Sequence, residues 1–270
     1  MSRRFVNLIV QNSIGFRPAY ALHRINPWRL FYPTTRQLRH QSNSIENARL
    51  PRAAISFYLP CPPPPDNHSG EINFMSLGGS SNDIISMDSS SSNILEEMNK
   101  SDIVEAYTVV GDSQIWVSTQ DGVTYSFDTT SGMWSNAGKW PLPFHGGAEY
   151  APEHGLWFGF TSHSQGQRFA ASDLAAASTM TPPVLHKAWN EPLPKHWVQV
   201  LAPYRLPLGS GKFCIGRVFD DMEEEGRTKE MFAVFTGVEV ECRGSRGALR
   251  LIKHKSKRFS VGRRMVKAIL

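Results

Sequence analysis

A chain of 270 residues with 40% hydrophobic and 11% aromatic content can bury a sizeable core and is too apolar for a disordered polymer. No apolar run approaches the roughly 18 residues that span a bilayer as a helix, and no secretory signal opens the chain, so neither a helical membrane protein nor a secreted one is expected. The formal charge of +5 hides a segregation: residues 1–50 carry eight arginines against one glutamate, residues 243–270 carry ten basic side chains and no acid, and the middle carries 11 basic against 23 acidic residues. The basic ends either meet an external polyanion or lie against the chain's own acidic centre, and the modest total favours the second. Three widely spaced cysteines, Cys61, Cys214 and Cys242, form no C-x-x-C pair, which fits reduced thiols in an intracellular compartment.

In chain order, "RRFVNLIVQ" and "AYALHRI" alternate as two strands. Residues 36–70 are polar and then proline-rich, including Pro62 to Pro65, and are expected to form a disordered loop. Next comes a recurring unit. Ile85-Ser86-Met87-Asp88 is followed by Tyr125-Ser126-Phe127-Asp128 and by Phe169-Ala170-Ala171-Ser172-Asp173-Leu174, with the aspartates 40 and then 45 residues apart. Upstream of the second and third copies stand "QIWVST" around Trp116 and "GLWFGF" around Trp157, 41 residues apart. Two independent markers thus share one period, the pattern of a propeller built from four-stranded sheets. Within the unit, Val123, Tyr125 and Phe127 occupy one face of a strand. Asp128 can accept from backbone N–H groups beyond it, Gly132 can close the turn, and Trp134 starts the return strand. Trp116, Tyr125, Phe127, Trp134 and Trp157 are expected to pack adjacent sheets together.

Further on, the proline-rich "MTPPVLHKAWNEPLPKHW" (180–197) reads as a long connection. "KFCIGRVF" and "EMFAVFTGVEVEC" read as strands around the acidic hairpin "DDMEEEGRT", and "ALRLIKHKSKRF" as a last strand. The whole predicts a single all-β unit over residues 1–270, a kelch-like β-propeller of about five four-stranded blades. That ring is complete or short of a blade, and strands from the two ends share a sheet.

The segments "MSRRFVNLIV", "LHRINPWRLFYPTT", "YSFDTTSGMWSNAGKWPLPFHGGAEYAPEHGLWFGF", "LGSGKFCIGRVF" and "AVFTGVEV…LRLIKHKSKRF" closely resemble a plant family, abundant in grasses, of proteins bearing a domain of unknown function with kelch-like character. The resemblance implies a propeller and no transferable catalytic residue. Val110-Gly111 stands where a kelch blade has two glycines. Family members have additional blade sequence where this chain runs from "NILEEMNK" to "SDIVEAYTVV", which implies fewer blades or a gap in the ring.

No motif points to catalysis. "GSGKF" (209–213) lacks the leading glycine and the Ser or Thr of a phosphate loop and reads as a tight turn. His145, His154 and His163, spaced by nine, have no ligand partners at metal spacing. The acidic cluster from Asp220 to Glu225 lacks the glycine-punctuated alternation of a calcium loop and reads as a solvated hairpin tip. No cofactor and no metal are expected. The basic run Lys253, Lys255, Lys257 and Arg258 is the one candidate polyanion contact. The leading reading is a monomeric, non-enzymatic scaffold that binds a protein partner. The alternative is a nucleic-acid-associated protein using the basic ends, and a third is a propeller enzyme with an axial pocket. No membrane partner is expected. Location in cytoplasm or nucleus follows, with mitochondrial or plastid import as the alternative because the N-terminal 45 residues are arginine-rich and free of acid.

Overall fold

Twenty strands and two 3-10 turns, Pro27–Leu30 and His163–Gln165, make up the computed structural model, whose described residues are 5–14, 17–34, 44–58, 72–76, 84–88, 103–190, 193–222, 228–243, 248–262 and 264–270. No α-helix occurs among them, and the fold is all-β.

The recurring unit of the sequence forms two consecutive antiparallel meanders. The first is β7 (Val104–Val110), β8 (Gln114–Thr119), β9 (Thr124–Asp128) and β10 (Met133–Gly138). The second is β11 (His145–Ala151), β12 (Leu156–Phe160), β13 (Phe169–Asp173) and β14 (Val184–Trp189). Their leading strands touch in parallel, Gly146 beside Ala106 and Gly147 beside Tyr107, which links the two into an eight-stranded sheet.

The aspartates end their strands by the same local device. The Asp128 carboxylate accepts from Thr130 N at 2.9 Å, and that of Asp173 from Ala175 N at 2.9 Å. The bond from Thr130 holds the Asp128 carboxyl below its ordinary pKa. Gly132 closes the β9–β10 turn with φ +69° and returns its N–H to the Asp128 carbonyl at 2.8 Å. Asp88 ends β6 (Ile84–Asp88), paired with β5 (Ile72–Ser76), but its side chain lies outside the described residues.

The third sheet runs β15 (Trp197–Gln199), β17 (Lys212–Met222), β18 (Thr228–Arg243), β19 (Ala248–Gly262) and β3 (Ile45–Ala48), with β16 (Tyr204–Gly209) also paired to β17. The fourth runs β20 (Met265–Ile269), β1 (Val6–Ile14), β2 (Arg17–Ile25) and β4 (Ala53–Tyr58), so strands from the two ends of the chain pair, with Leu8 opposite Ile269. No sheet closes on itself among the described residues.

Three apolar clusters join the meanders and the sheets to one another. Ala106, Trp140, Phe144, Trp157 and Leu174 join the two meanders. Phe158, Phe160, Phe169, Phe213, Ile215 and Val238 join the second meander to the third sheet. Val6, Leu8, Val10, Leu206, Val218, Phe235 and Val266 join the third sheet to the fourth. Each buried Phe or Leu contributes about 1.5–3 kcal/mol, so these clusters hold the meanders and sheets together.

Several expectations are corrected. The predicted loop at 36–70 contains β3 and β4 over 44–58, while 36–43 and 59–70 lie outside the described residues. β3 joins β19 in parallel through its backbone and buries little side chain, so composition misses it. β14 lies inside the proline-rich "connection", between Pro183 and Pro192, as the edge strand of the second meander, a place where flanking prolines cost no ladder bonds. Strands per sheet are not uniform: the third sheet has six and the β5–β6 sheet two. Asp220 and Asp221 belong to β17, opposite Met231 and Glu230, rather than to a hairpin tip.

Candidate functional site

Register and alternation place Tyr107 and Val109 of β7, Ile115 and Val117 of β8, Tyr125 and Phe127 of β9, and Trp134 of β10 on one face of the first meander: Tyr107 is opposite Val117, Val117 opposite Tyr125, and Trp134 opposite Phe127. The other face carries Ala106, Thr108, Ser118, Thr124 and Ser126, all buried. The apolar face is open instead, with Tyr107 56%, Val109 54% and Trp134 59% exposed. Trp134 lies against the Phe127 ring, 5.0 Å between centroids. This corrects the expectation that Trp134 is packed between sheets, because no described sheet covers it. Trp157 and Trp116 do pack inward: Trp157 Nε1 donates to the Val109 carbonyl at 2.8 Å, and Trp116 lies against Trp140 at 5.6 Å.

The basic run sits on β19, held between β18 and β3. Lys253, Lys255 and Lys257 are half-buried, alternating with buried His254 and Ser256. The Lys255 ammonium lies 4.9 Å from the Tyr32 ring centroid. Arg258, the last of the run, is paired within the chain. Its Nη2 donates to Asp221 at 3.2 Å and to Glu230, and its guanidinium lies 3.9 Å from the Phe232 ring centroid. Asp221 and Glu230 belong to the acidic middle, so this part of the basic end meets the chain's own acid.

His254 is 5% exposed, with Tyr32 N donating to its Nδ1 at 3.2 Å and Glu239 3.0 Å from its Nε2. That fixes the tautomer with the proton on Nε2. Burial lowers its pKa from the ordinary 6.5, the Glu239 hydrogen bond and charge oppose this, and Lys212 lowers it further. Burial likewise lowers the pKa of His23, whose Nδ1 meets the Pro51 carbonyl at 2.7 Å. Folded pKa values below the unfolded ones mean that the unfolded chain takes up protons first as pH falls. The stability these groups contribute is full above about pH 6.5 and is lost as pH drops toward their folded values. Thermal melts between pH 7.5 and 5.5 are expected to show a falling Tm, with a shallower fall in His254→Gln; a flat wild-type profile would contradict this.

The histidines spaced by nine do not meet. His145 opens β11 and His163 starts a 3-10 turn, while His154 approaches Cys242, with 3.5 Å between Nδ1 and Sγ. Sequence reasoning missed that pair because 88 residues separate its members. Cys242 is exposed, whereas Cys214 is buried and its thiol pKa is pushed far up by that burial. No group of three metal-ligating side chains occurs among the described residues. "GSGKF" is the β16–β17 hairpin turn, with Gly209, Ser210 and Gly211 all at positive φ.

Arg205 of β16 lies where that strand approaches β7 and β11. Its guanidinium is 3.1 Å from where a Cβ on Gly147 would stand, and the Tyr107 ring 3.2 Å from the same point. Burial lowers the Arg205 pKa, and the charge of Glu149 on β11 opposes it.

The chain matches the model of a protein family of unknown function, DUF1668, over residues 3–99 and 93–259. No curated protein and no solved structure matches it.

Proposed function

We propose that this chain, which belongs to the DUF1668 family of proteins of unknown function, is a non-enzymatic protein-binding module built as a kelch-like propeller. Four observations support the propeller reading: a sequence period near 40 residues, two successive four-stranded meanders, apolar layers between consecutive sheets, and pairing of strands from the two chain ends. The β5–β6 hairpin then takes the place of a blade ahead of β7. It supplies two described strands where the meanders have four.

The binding reading is carried by the open apolar face of the first meander. Tyr107 and Trp134 are the residue types that anchor protein interfaces, because each presents a large rigid area at little conformational entropy. Substituting both with serine is expected to change stability little, since both are more than half exposed. Affinity purification with the wild-type chain should recover a specific protein that Y107S/W134S loses. Equal recovery by both chains would count against this face as the contact. The nucleic-acid reading is less favoured because Arg258 is committed to Asp221 and Glu230.

A further inference from the structure

Cys242, near the end of β18, is exposed, and its Sγ lies 3.5 Å from Nδ1 of His154 in the turn between β11 and β12. That turn is held in several ways. His154 N and Gly155 N both donate to the Ala151 carbonyl at 3.0 Å, and the Glu153 carboxylate accepts from Gly211 N in the β16–β17 turn. The imidazole packs edge-on against Phe158, 5.7 Å between centroids, and Phe158 is fully buried. The approach of ring to sulfur is thus set by the packing of the second meander on the third sheet.

The two ring nitrogens have different surroundings. His154 Nε2 is buried and has no hydrogen-bond partner. An orphaned buried N–H is avoided more strictly than an orphaned acceptor, which places the proton on Nδ1, aimed at the sulfur. His154 then donates to Cys242, and such a bond strengthens as the acceptor gains negative charge. The thiolate, not the thiol, is the nucleophile in cysteine chemistry. Because Cys242 is exposed, water can take the proton that the thiol gives up.

We propose that Cys242, supported by His154, is a reactive thiol and a modification site that exchanges with small disulfides. In that step the Cys242 thiolate attacks one sulfur of the small disulfide. A new S–S bond to the protein forms as the old one breaks, Cys242 is oxidised, and the other half of the small molecule leaves as a thiolate that is protonated by water. A small disulfide is favoured over a bridge within the chain, because Cys214 is buried and no other cysteine lies among the described residues. The site is separate from the open apolar face of the first meander, so either can fail alone.

The test is labelling of the folded full chain with iodoacetamide at pH 7, read by peptide mass spectrometry, with a synthetic peptide of residues 238–247 as the unsupported reference. Cys242 in the folded chain should react about three- to tenfold faster than the same cysteine in the peptide. Cys214, fully buried, stays unlabelled while the chain is folded. His154→Leu should slow Cys242 to the rate of the peptide. Removing the ring uncovers the sulfur further, so slower labelling of this variant reports lost chemistry rather than lost access. If His154→Leu does not fold, the comparison of wild type with peptide decides the matter. Glutathione disulfide should add one glutathione to Cys242, released again by dithiothreitol. A Cys242 rate no higher than that of the peptide, an unchanged rate in folded His154→Leu, or no glutathione adduct at Cys242 would each overturn the proposal.

Discussion

Phe158→Ala is expected to destabilise the protein by about 3–5 kcal/mol, a large share of the roughly 5–15 kcal/mol that holds a typical domain folded. Phe158 is fully buried, with the Phe213 ring at 4.9 Å, Phe169 at 5.8 Å and His154 at 5.7 Å. Phe169 lies on the adjacent strand, whereas Phe213 comes from the third sheet. The truncation therefore empties a space between two sheets whose backbones are each fixed by their own ladders, so collapse into the void is limited. Part of the loss is transfer free energy and part is the cavity left behind. A drop of about 10 °C in the far-ultraviolet melting midpoint should report it. Trp134→Ala removes a larger side chain from an exposed site and should cost about 1 kcal/mol or less. Similar losses for the two would contradict the burial assigned to each ring.

Gly211→Ala is expected to cost about 2–4 kcal/mol, and Gly209→Ala, two residues earlier in the same turn, only about 1 kcal/mol. Both glycines have positive φ, +69° and +83°, and share the cost of placing a Cβ in that region. They differ in what the new carbon meets. At Gly209 it meets open space, whereas at Gly211 it would stand 2.6 Å from the Val240 carbonyl oxygen and 2.7 Å from His154 Nε2. The first of those neighbours is backbone and cannot swing aside. Gly211 also donates its N–H to the Glu153 carboxylate and accepts from Val240 N at 2.8 Å, so a shift of the turn would break contacts to both the second meander and β18. Urea unfolding of the two single variants gives the comparison directly, and equal midpoints would contradict it.

What the sequence reveals of this fold is what is decided locally. Asp128 and Asp173 can be recognised as strand ends because each bonds to an N–H two residues on. Alternation around Tyr125 shows that a strand has two faces, but not which one a neighbour covers. Trp157 and Trp134 therefore look alike in sequence although one is buried and the other exposed. β3 escapes for a related reason: its four residues pair with Ser256 to Phe259, more than 200 positions away, and carry no apolar pattern of their own. β14 escapes because the prolines on either side of it suggest a connection, whereas an edge strand tolerates them. The contact between His154 and Cys242 could not be read at all, since the two residues meet only once the second meander packs against the third sheet.

Pairing of β1 with β20 also bears on how the protein is made. Val6, Leu8, Ile9 and Val10 are fully buried in the finished structure, yet the strand that flanks them is translated last among the described elements. At about 5–20 residues per second, the nascent chain carries this sticky segment for roughly 10–50 s before residues 265–269 leave the ribosome. Chaperones that hold extended apolar peptides are the natural occupants of that interval, and refolding from denaturant must close the same long loop before β20 can complete the fourth sheet.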